Sequence, residues 1–205
     1  MHSEVLNEEG KKLFLSFKKF SDFYLAGGTA LALQIGHRIS VDFDFFSQKE
    51  IPKNFRDELK VIFGQNRITV SVDNPEELTL FLNETKITFV KYPFPAIKPL
   101  IEYELVKLLG IEEIGATKAY VIGRRGDFKD YVDLYYILSE GHSSLNKIIN
   151  LAETKYQNEF NSRLFLEQLV YLEDIEEPQL IFLKNGATKD ELEKFFSVAV
   201  KEVKL

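Results

Sequence analysis

Hydrophobic residues in the first half of the chain recur with both helical and strand-like spacing. Leu13, Phe14, Phe17 and Phe20 follow a three- and four-residue period, which predicts an amphipathic helix over 8–20. Short apolar or alternating runs, separated by glycine, proline and asparagine, predict strands between further helices. The predicted strands cover 23–27, 39–47, 67–73, 78–82 and 86–92. The further predicted helices cover 28–36 and 52–64.

The pattern becomes helical after the proline-rich stretch at 93–99. The predicted helices of this second half cover 101–109, 111–122, 127–139, 145–158, 161–173 and 188–203. We therefore predict an α+β protein. A mixed sheet with flanking helices forms an α/β domain over 1–98, and an all-helical bundle domain follows over 99–205.

Composition narrows the possible chemistry. The chain has 205 residues, of which 45% are hydrophobic, enough for a sizeable core. Its net charge of −6 argues against a broad basic surface for nucleic acid, so any such contact would need a local basic patch or a metal. Without cysteine, disulfides and cysteine-zinc sites are excluded, and the three histidines lack metal-ligand spacing. No signal-type or membrane-spanning run is present, so we expect no membrane association and a cytoplasmic location.

Two aspartates one residue apart interrupt the predicted strand 39–47. Asp42 and Asp44 stand at i and i+2, which on a strand directs both side chains to one face. Neighbouring carboxylates repel each other and lose solvation when buried, and a divalent cation removes that penalty. Mg²⁺ is held by one or two carboxylates together with substrate phosphates. The pair therefore predicts a Mg²⁺ (or Mn²⁺) site.

A pair of glycines precedes the predicted helix 28–36. Gly27 and Gly28 would let a ligand approach the backbone, and the N–H groups of the helix N-terminus suit a phosphate. Thr29 adds a hydroxyl, and the always-charged guanidinium of Arg38 is a further phosphate candidate. Either motif alone is typical of an ordinary turn or an edge strand. Their order, with a helix between them, predicts a phosphate cradle beside a metal site.

This combined stretch resembles the nucleotidyltransferases with a polymerase-β-like palm, and most closely the AbiEii/AbiGii toxin family. The matching residues are Gly27, Gly28, Thr29, Ala30, Leu31, His37, Arg38, Ser40, Asp42, Asp44 and Phe45. The resemblance implies transfer of NMP from an NTP to an acceptor hydroxyl on RNA, such as tRNA, or on protein. It also implies a toxin role in abortive infection or a toxin–antitoxin pair, with a cognate antitoxin as partner.

A second group of charged residues lies in the predicted helical half. Asp130 and Asp133 are three residues apart and share a helix face, and nearby cations could neutralise a triphosphate. A solvated helix with Lys-Asp pairing would show the same pattern. The segment also resembles the AbiEii-type pattern at Lys118, Arg125, Lys129, Asp130, Asp133 and Leu134. That resemblance implies nucleotide contact for Lys118, with Arg125 and Lys129 beside it, and catalysis or its support for Asp130 and Asp133.

The match lacks the third carboxylate that two-metal chemistry normally uses. Thr88 stands where a neighbouring strand would supply it, and Asp73 and Glu84 are the nearest acids in sequence. Asp73 could serve only if its strand runs beside 41–46, whereas Glu84 is predicted in a turn. Three alternatives stay open: one main metal, an acid from the helical half, or nucleotide binding without efficient transfer. The last corresponds to a nucleotide-binding or protein-interaction module with weakened or lost activity.

Overall fold

The computed structural model describes residues 1–64, 67–124 and 126–203. The chain divides into two compact units. The first comprises residues 1–95 and 99–109, and the second comprises residues 96–98 and 110–205. The division falls after Leu109, whereas the sequence pattern places it after residue 98, because 99–109 joins the sheet of the first unit.

The first unit is built on a mixed sheet. In the described residues its strands are β1 Tyr24–Ala26, β2 Phe43–Ser47, β3 Ile68–Asp73, β4 Glu77–Leu82, β5 Thr85–Lys91, β6 Ile101–Tyr103 and β7 Val106–Leu108. Their order across the sheet is β3-β4-β5-β2-β1-β7-β6. The central strand β2 runs antiparallel to β1 and parallel to β5. The predicted mixed sheet is therefore confirmed.

Helices flank this sheet at positions that local sequence explains. They are α1 Glu8–Phe14, α2 Gly27–Ile35 and α3 Phe55–Phe63. The Asn7 side chain caps α1 by accepting a 2.7 Å hydrogen bond from the Gly10 N–H. Gly36 ends α2 with a φ of 67°, a left-handed conformation that glycine adopts at little cost. The predicted helix 8–20 is shorter than expected, with a separate 3₁₀ turn at Phe17–Lys19.

Strand β2 separates a buried face of the sheet from a half-exposed one. Phe43, Phe45 and Ser47 are buried, whereas Asp44 and Phe46 alternate with them and are half-exposed. On the buried face, aromatic rings from helices and strands pack edge to face. The Phe17 and Phe43 ring centroids lie 4.7 Å apart. This dense packing holds β2 firmly, so the half-exposed face becomes a rigid support for polar groups.

The prediction of a helix over 101–109 is wrong, because this segment forms the hairpin β6–β7. Glu104 and Leu105 have φ values of 50° and 64°, the positive values that a two-residue hairpin turn needs. Leu108 pairs with Leu25 of β1 in parallel register, and the Leu109 N–H donates to the Leu25 carbonyl at 2.8 Å. Pairing with β1 thus overrides the helix propensity of a segment rich in leucine and glutamate.

The second unit is helical in its described residues, as predicted. Its helices are α4 Ile111–Ile122, α5 Phe128–Ser139, α6 Leu145–Tyr156, α7 Ser162–Leu169 and α8 Lys189–Ala199. Side-chain caps define where several of them begin: Asp127 for α5, Ser144 for α6, Asn161 for α7 and Thr188 for α8. The predicted helices 161–173 and 188–203 end earlier than the hydrophobic pattern suggests.

A buried ion pair joins α4 to α6. The Lys155 Nζ lies 2.7 Å from the Glu113 Oε1, and their side chains are 0% and 1% exposed. The Glu113 carboxylate also accepts hydrogen bonds from the N–H groups of Ile97, at 3.0 Å, and Lys98, at 2.9 Å. One carboxylate therefore neutralises a buried ammonium and anchors residues 96–98 to the second unit.

We expect the Glu113→Gln variant to lose about 3–5 kcal/mol of unfolding free energy, because the Lys155 ammonium stays buried without its counter-charge. Urea unfolding followed by circular dichroism measures the loss. The Glu167→Gln variant, at an exposed position of α7, is the control and should change stability by less than about 0.5 kcal/mol. Equal effects of the two substitutions would contradict the assigned role of Glu113.

Candidate active site

The glycine turn at the start of α2 lies directly against the Asp44 carboxylate. The register of β1 and β2 pairs Ala26 with Asp44, so Gly27 follows immediately beside that side chain. Gly27 has a φ of 67°, and a Cβ added there would lie 2.9 Å from the Asp44 Oδ2. The backbone conformation at this position therefore favours glycine, and a larger residue would also displace the Asp44 carboxylate. The fold brings together the two motifs that are separate in the sequence.

Thr29 ties the first turn of α2 to the segment that carries Asp42. Its hydroxyl donates a hydrogen bond to the Asp42 backbone carbonyl and lies 2.7 Å from the Ser40 hydroxyl. Thr29 is only 2% exposed. These contacts make Thr29 a positioning residue for Asp42, and contact between its hydroxyl and phosphate stays a prediction. The sequence pattern assigned no role to Ser40, because its contact with Thr29 depends on the fold.

Asp42 and Asp44 are both half-exposed. Asp44 shares its face of β2 with Phe46, and Asp42 stands two residues earlier, just before the strand begins. Such a carboxylate pair fits a hard cation that completes its coordination with water and phosphate oxygens. In the described ranges, no group of three acidic or histidine side chains is placed to hold a metal ion. That Asp42 and Asp44 hold a metal ion stays a prediction.

The structure shows where Thr88 and the two nearest acids in sequence, Asp73 and Glu84, lie relative to Asp44. Thr88 lies opposite Asp44 on the neighbouring strand β5, as expected. Strands β4 and β5 separate β3, which carries Asp73, from β2, so Asp73 is about 14 Å away across the sheet. Asp73 instead lies 3.5 Å from the Arg56 guanidinium, so the alternative that used Asp73 is wrong. Glu84 lies in the β4–β5 turn, as predicted.

Two further polar residues of the first unit, Thr88 and Arg38, are buried. Thr88 is 6% exposed, and its hydroxyl has no hydrogen-bond partner among the described residues. Arg38 is 4% exposed and donates to the Ile39 carbonyl at 3.2 Å. Burial restricts the access of a free phosphate to Arg38, so its phosphate contact stays a prediction.

In the second unit, Lys118 joins Asp130 and Asp133 in a buried cluster. The Lys118 Nζ lies 2.7 Å from an oxygen of each carboxylate, and the three side chains are at most 9% exposed. Burial acts to lower the pKa of the Lys118 ammonium, but the charges of Asp133 and Asp130 outweigh it and raise that pKa. The cluster therefore carries one positive and two negative charges. Its roles in nucleotide contact and catalysis stay predictions.

Two further cations, Lys129 and Arg125, are predicted to contact the nucleotide. Lys129 is exposed at the start of α5, where its N–H donates to the Asp127 cap at 3.0 Å. Arg125 lies outside the described residues. Their predicted contacts with nucleotide stay predictions.

The sheet, the glycine turn and the two aspartates are the arrangement expected of a nucleotidyltransferase, and comparison with known proteins shows this class. Residues 14–201 match the family model described as "Nucleotidyl transferase AbiEii toxin, Type IV TA system". The chain belongs to this family of nucleotidyltransferase toxins. It is also 33% identical over 184 residues to an uncharacterized protein of Aquifex aeolicus (strain VF5), covering 89% of this chain and 88% of the relative.

Solved structures show the same fold at low identity. MenT4, a nucleotidyltransferase toxin from Mycobacterium tuberculosis H37Rv, is 14% identical with a TM-score of 0.59, covering 97% of this chain and 87% of that one. JHP933 from Helicobacter pylori is 20% identical with a TM-score of 0.55, covering 96% and 94%. Within the described residues, no helix is long and apolar enough to cross a membrane.

The Gly27→Ala variant should lose roughly 2–4 kcal/mol of stability, because a left-handed backbone and a contact with Asp44 both oppose the new Cβ. The matched control is Gly141→Ala, where φ is 72° and nothing lies within 4 Å of the added Cβ. That control should lose about 1 kcal/mol. Equal losses in urea unfolding would show that the approach of Asp44 to Gly27 costs nothing.

Alkaline pH should destabilise the folded chain through Tyr131. Burial raises the pKa of this phenol to about 12, and the Asp130 charge adds to the effect. An unfolded tyrosine ionises near pH 10, so this contribution is fully present below about pH 10 and is lost as the pH rises towards about 12. Between about pH 10 and about pH 12, the unfolding free energy of the Tyr131→Phe variant should therefore fall by roughly 1–2 kcal/mol less than that of the wild type. Parallel stability profiles of the two proteins, measured by urea unfolding, would contradict this.

Proposed function

We propose that this nucleotidyltransferase moves an NMP group from an NTP to a hydroxyl of an RNA, such as tRNA, or of a protein, and requires Mg²⁺ or Mn²⁺. The observation that supports this most directly is the Asp44 carboxylate against the Gly27 backbone, with Asp42 held two residues away by Thr29. A helix N-terminus suited to phosphate next to a carboxylate suited to a divalent cation supports the proposal.

We propose a specific role for each candidate site residue of the first unit. Asp42 and Asp44 would hold Mg²⁺, which when bound neutralises phosphate charge and orients the α-phosphate. Gly27 and Gly28 leave the backbone open to the β- and γ-phosphates, and the nine-residue helix α2 directs its positive end towards them. Thr29 keeps the helix and the Asp42 backbone in a fixed relation.

The proposed transfer exchanges one phosphorus–oxygen bond for another. The acceptor oxygen bonds to the α-phosphorus while the bond from that phosphorus to the bridging oxygen breaks. Pyrophosphate leaves with the electron pair, and the acceptor proton passes to a base, which is Asp130 or Asp133 where one of them deprotonates the acceptor and water where it only orients it. Catalysis of this kind depends mainly on positioning and on charge stabilisation.

For the second unit we propose the roles that membership of the family supports. Lys118 contacts nucleotide, and Asp130 or Asp133 orients or deprotonates the acceptor. Burial alone would lower the pKa of the Lys118 ammonium, but Asp133 and Asp130 offset it, so the buried amine stays charged. Arg38, Arg125 and Lys129 are proposed as further phosphate contacts.

A cognate antitoxin is the proposed protein partner. The family is described as a Type IV toxin–antitoxin system, which supports a toxin whose activity a second gene product restrains. Co-expression of the neighbouring open reading frame with this chain tests the proposal, because the antitoxin should relieve growth arrest.

The second candidate is a nucleotide-binding module with weakened transfer. Thr88 opposite Asp44 favours it, because a hydroxyl cannot supply the charge of a third carboxylate. Calorimetry with NTP and Mg²⁺ separates the two candidates. Tight binding without turnover on any acceptor supports the module, and turnover supports the transferase.

We expect purified protein to transfer label from α-³²P NTP to total RNA or to protein in the presence of Mg²⁺. The Asp42→Asn/Asp44→Asn variant should lose at least about 100-fold in rate, because its amides cannot neutralise a divalent cation. Asp73→Asn is the control at a remote, exposed acid of the same sheet and should keep wild-type activity. Transfer that survives the double substitution would overturn the metal assignment.

A further inference from the structure

We infer that Phe46, Tyr92 and Phe94 form an aromatic platform that stacks on the base of the incoming NTP. The inference rests on the proposed function and adds a binding subsite to it. The ring centroids of Phe46 and Tyr92 lie 4.4 Å apart at an angle of 20°. The Phe94 ring meets Tyr92 edge to face at 5.6 Å.

Phe46 of the platform shares the face of the sheet that carries Asp44. Phe46 follows Asp44 by two residues on β2, so both side chains leave the same face about 7 Å apart along the strand. On the adjacent strand β1, Ala26 pairs with Asp44 and Tyr24 pairs with Phe46, so the same spacing separates the two β1 residues. Phe46, the first ring of the platform, therefore lies two residues along β2 from the Asp44 carboxylate.

The backbone holds the platform in place. The Tyr92 N–H donates to the Ser47 carbonyl at 2.7 Å, which extends the β2–β5 pairing past the end of β5. Phe94 lies between two prolines, whose fixed φ angles restrict the chain on both sides of it. A ring held in this way loses little conformational entropy when a ligand stacks on it.

Exposure separates the platform from the aromatic core. Phe43, Phe45 and Phe89, on the other face of the sheet, are at most 1% exposed. Phe46, Tyr92 and Phe94 each remain half-exposed, although they belong to the same strands or follow directly after them. Packing alone would favour burying all six rings, so the exposed surface of these three is available to a planar ligand.

The order of the α2 N-terminus, Asp44 and Phe46 along the sheet favours the NTP base over other planar ligands. The triphosphate would lie at the N-terminus of α2, beyond the end of β1 at Ala26. Phe46 lies on the opposite side of Asp44, towards the start of β1. A nucleotide whose α-phosphate lies at the carboxylates would extend its base in that direction, and aromatic rings stack on bases without strong sequence preference.

The test compares ligands with and without a base. In calorimetric titrations with Mg²⁺, the Phe46→Leu/Tyr92→Leu variant should bind each of the four NTPs about tenfold more weakly than wild type. Its affinity for inorganic tripolyphosphate should stay within about twofold, since that ligand has no base to stack. The Tyr92→Phe variant keeps the ring and should bind NTPs like wild type.

Tyr103→Leu provides the matched control, because it removes a half-exposed tyrosine at the far edge strand β6. It should change neither affinity. Unchanged NTP affinity in the platform variant overturns the inference, and a raised KM for RNA alone would assign the rings to an acceptor base. Loss of both ligands would show a disturbed fold and also overturn it. Wild-type protein that transfers label but binds NTP no better than tripolyphosphate overturns the platform and leaves the proposed function standing.

Discussion

The antiparallel pairing of β1 with β2 is the constraint on which the candidate site depends. It places the residue before the glycine turn opposite Asp44, so helix α2 begins where the carboxylate projects. Gly27 tolerates that approach because it has no side chain and a positive φ. The Thr29 hydroxyl then holds the Asp42 backbone from the same helix. The N-terminus of α2 and the Asp44 carboxylate thereby lie side by side without a long loop between them.

The second unit relies on buried charge in a way that its helical pattern does not reveal. Lys155 with Glu113, and Lys118 with Asp130 and Asp133, are each nearly inaccessible to water. Buried pairs add little stability compared with apolar packing, but they strongly penalise any arrangement that separates them. They therefore specify how α4, α5 and α6 pack against one another.

One face of the central sheet forms the hydrophobic core, and the other carries the candidate site. One face buries a continuous layer of phenylalanine rings, and the other presents Asp44, Thr88 and Phe46. Because adjacent residues on a strand alternate between faces, a rigid core lies one residue away from each polar group. The family and the solved structures share this fold, so these proteins have the same sheet available as a support.

The sequence by itself determined the α+β class, most of the helices and strands, and the glycine and aspartate motifs, because periodicity, caps and turn residues act over a few positions. It also indicated that Thr88, and not an acid, stands on the strand beside Asp44. Only the tertiary structure decided that 101–109 is a hairpin, that Asp73 is remote, and that Lys118 is enclosed by two carboxylates. These outcomes depend on strand order and helix packing between residues far apart in the chain, where local propensity carries no information.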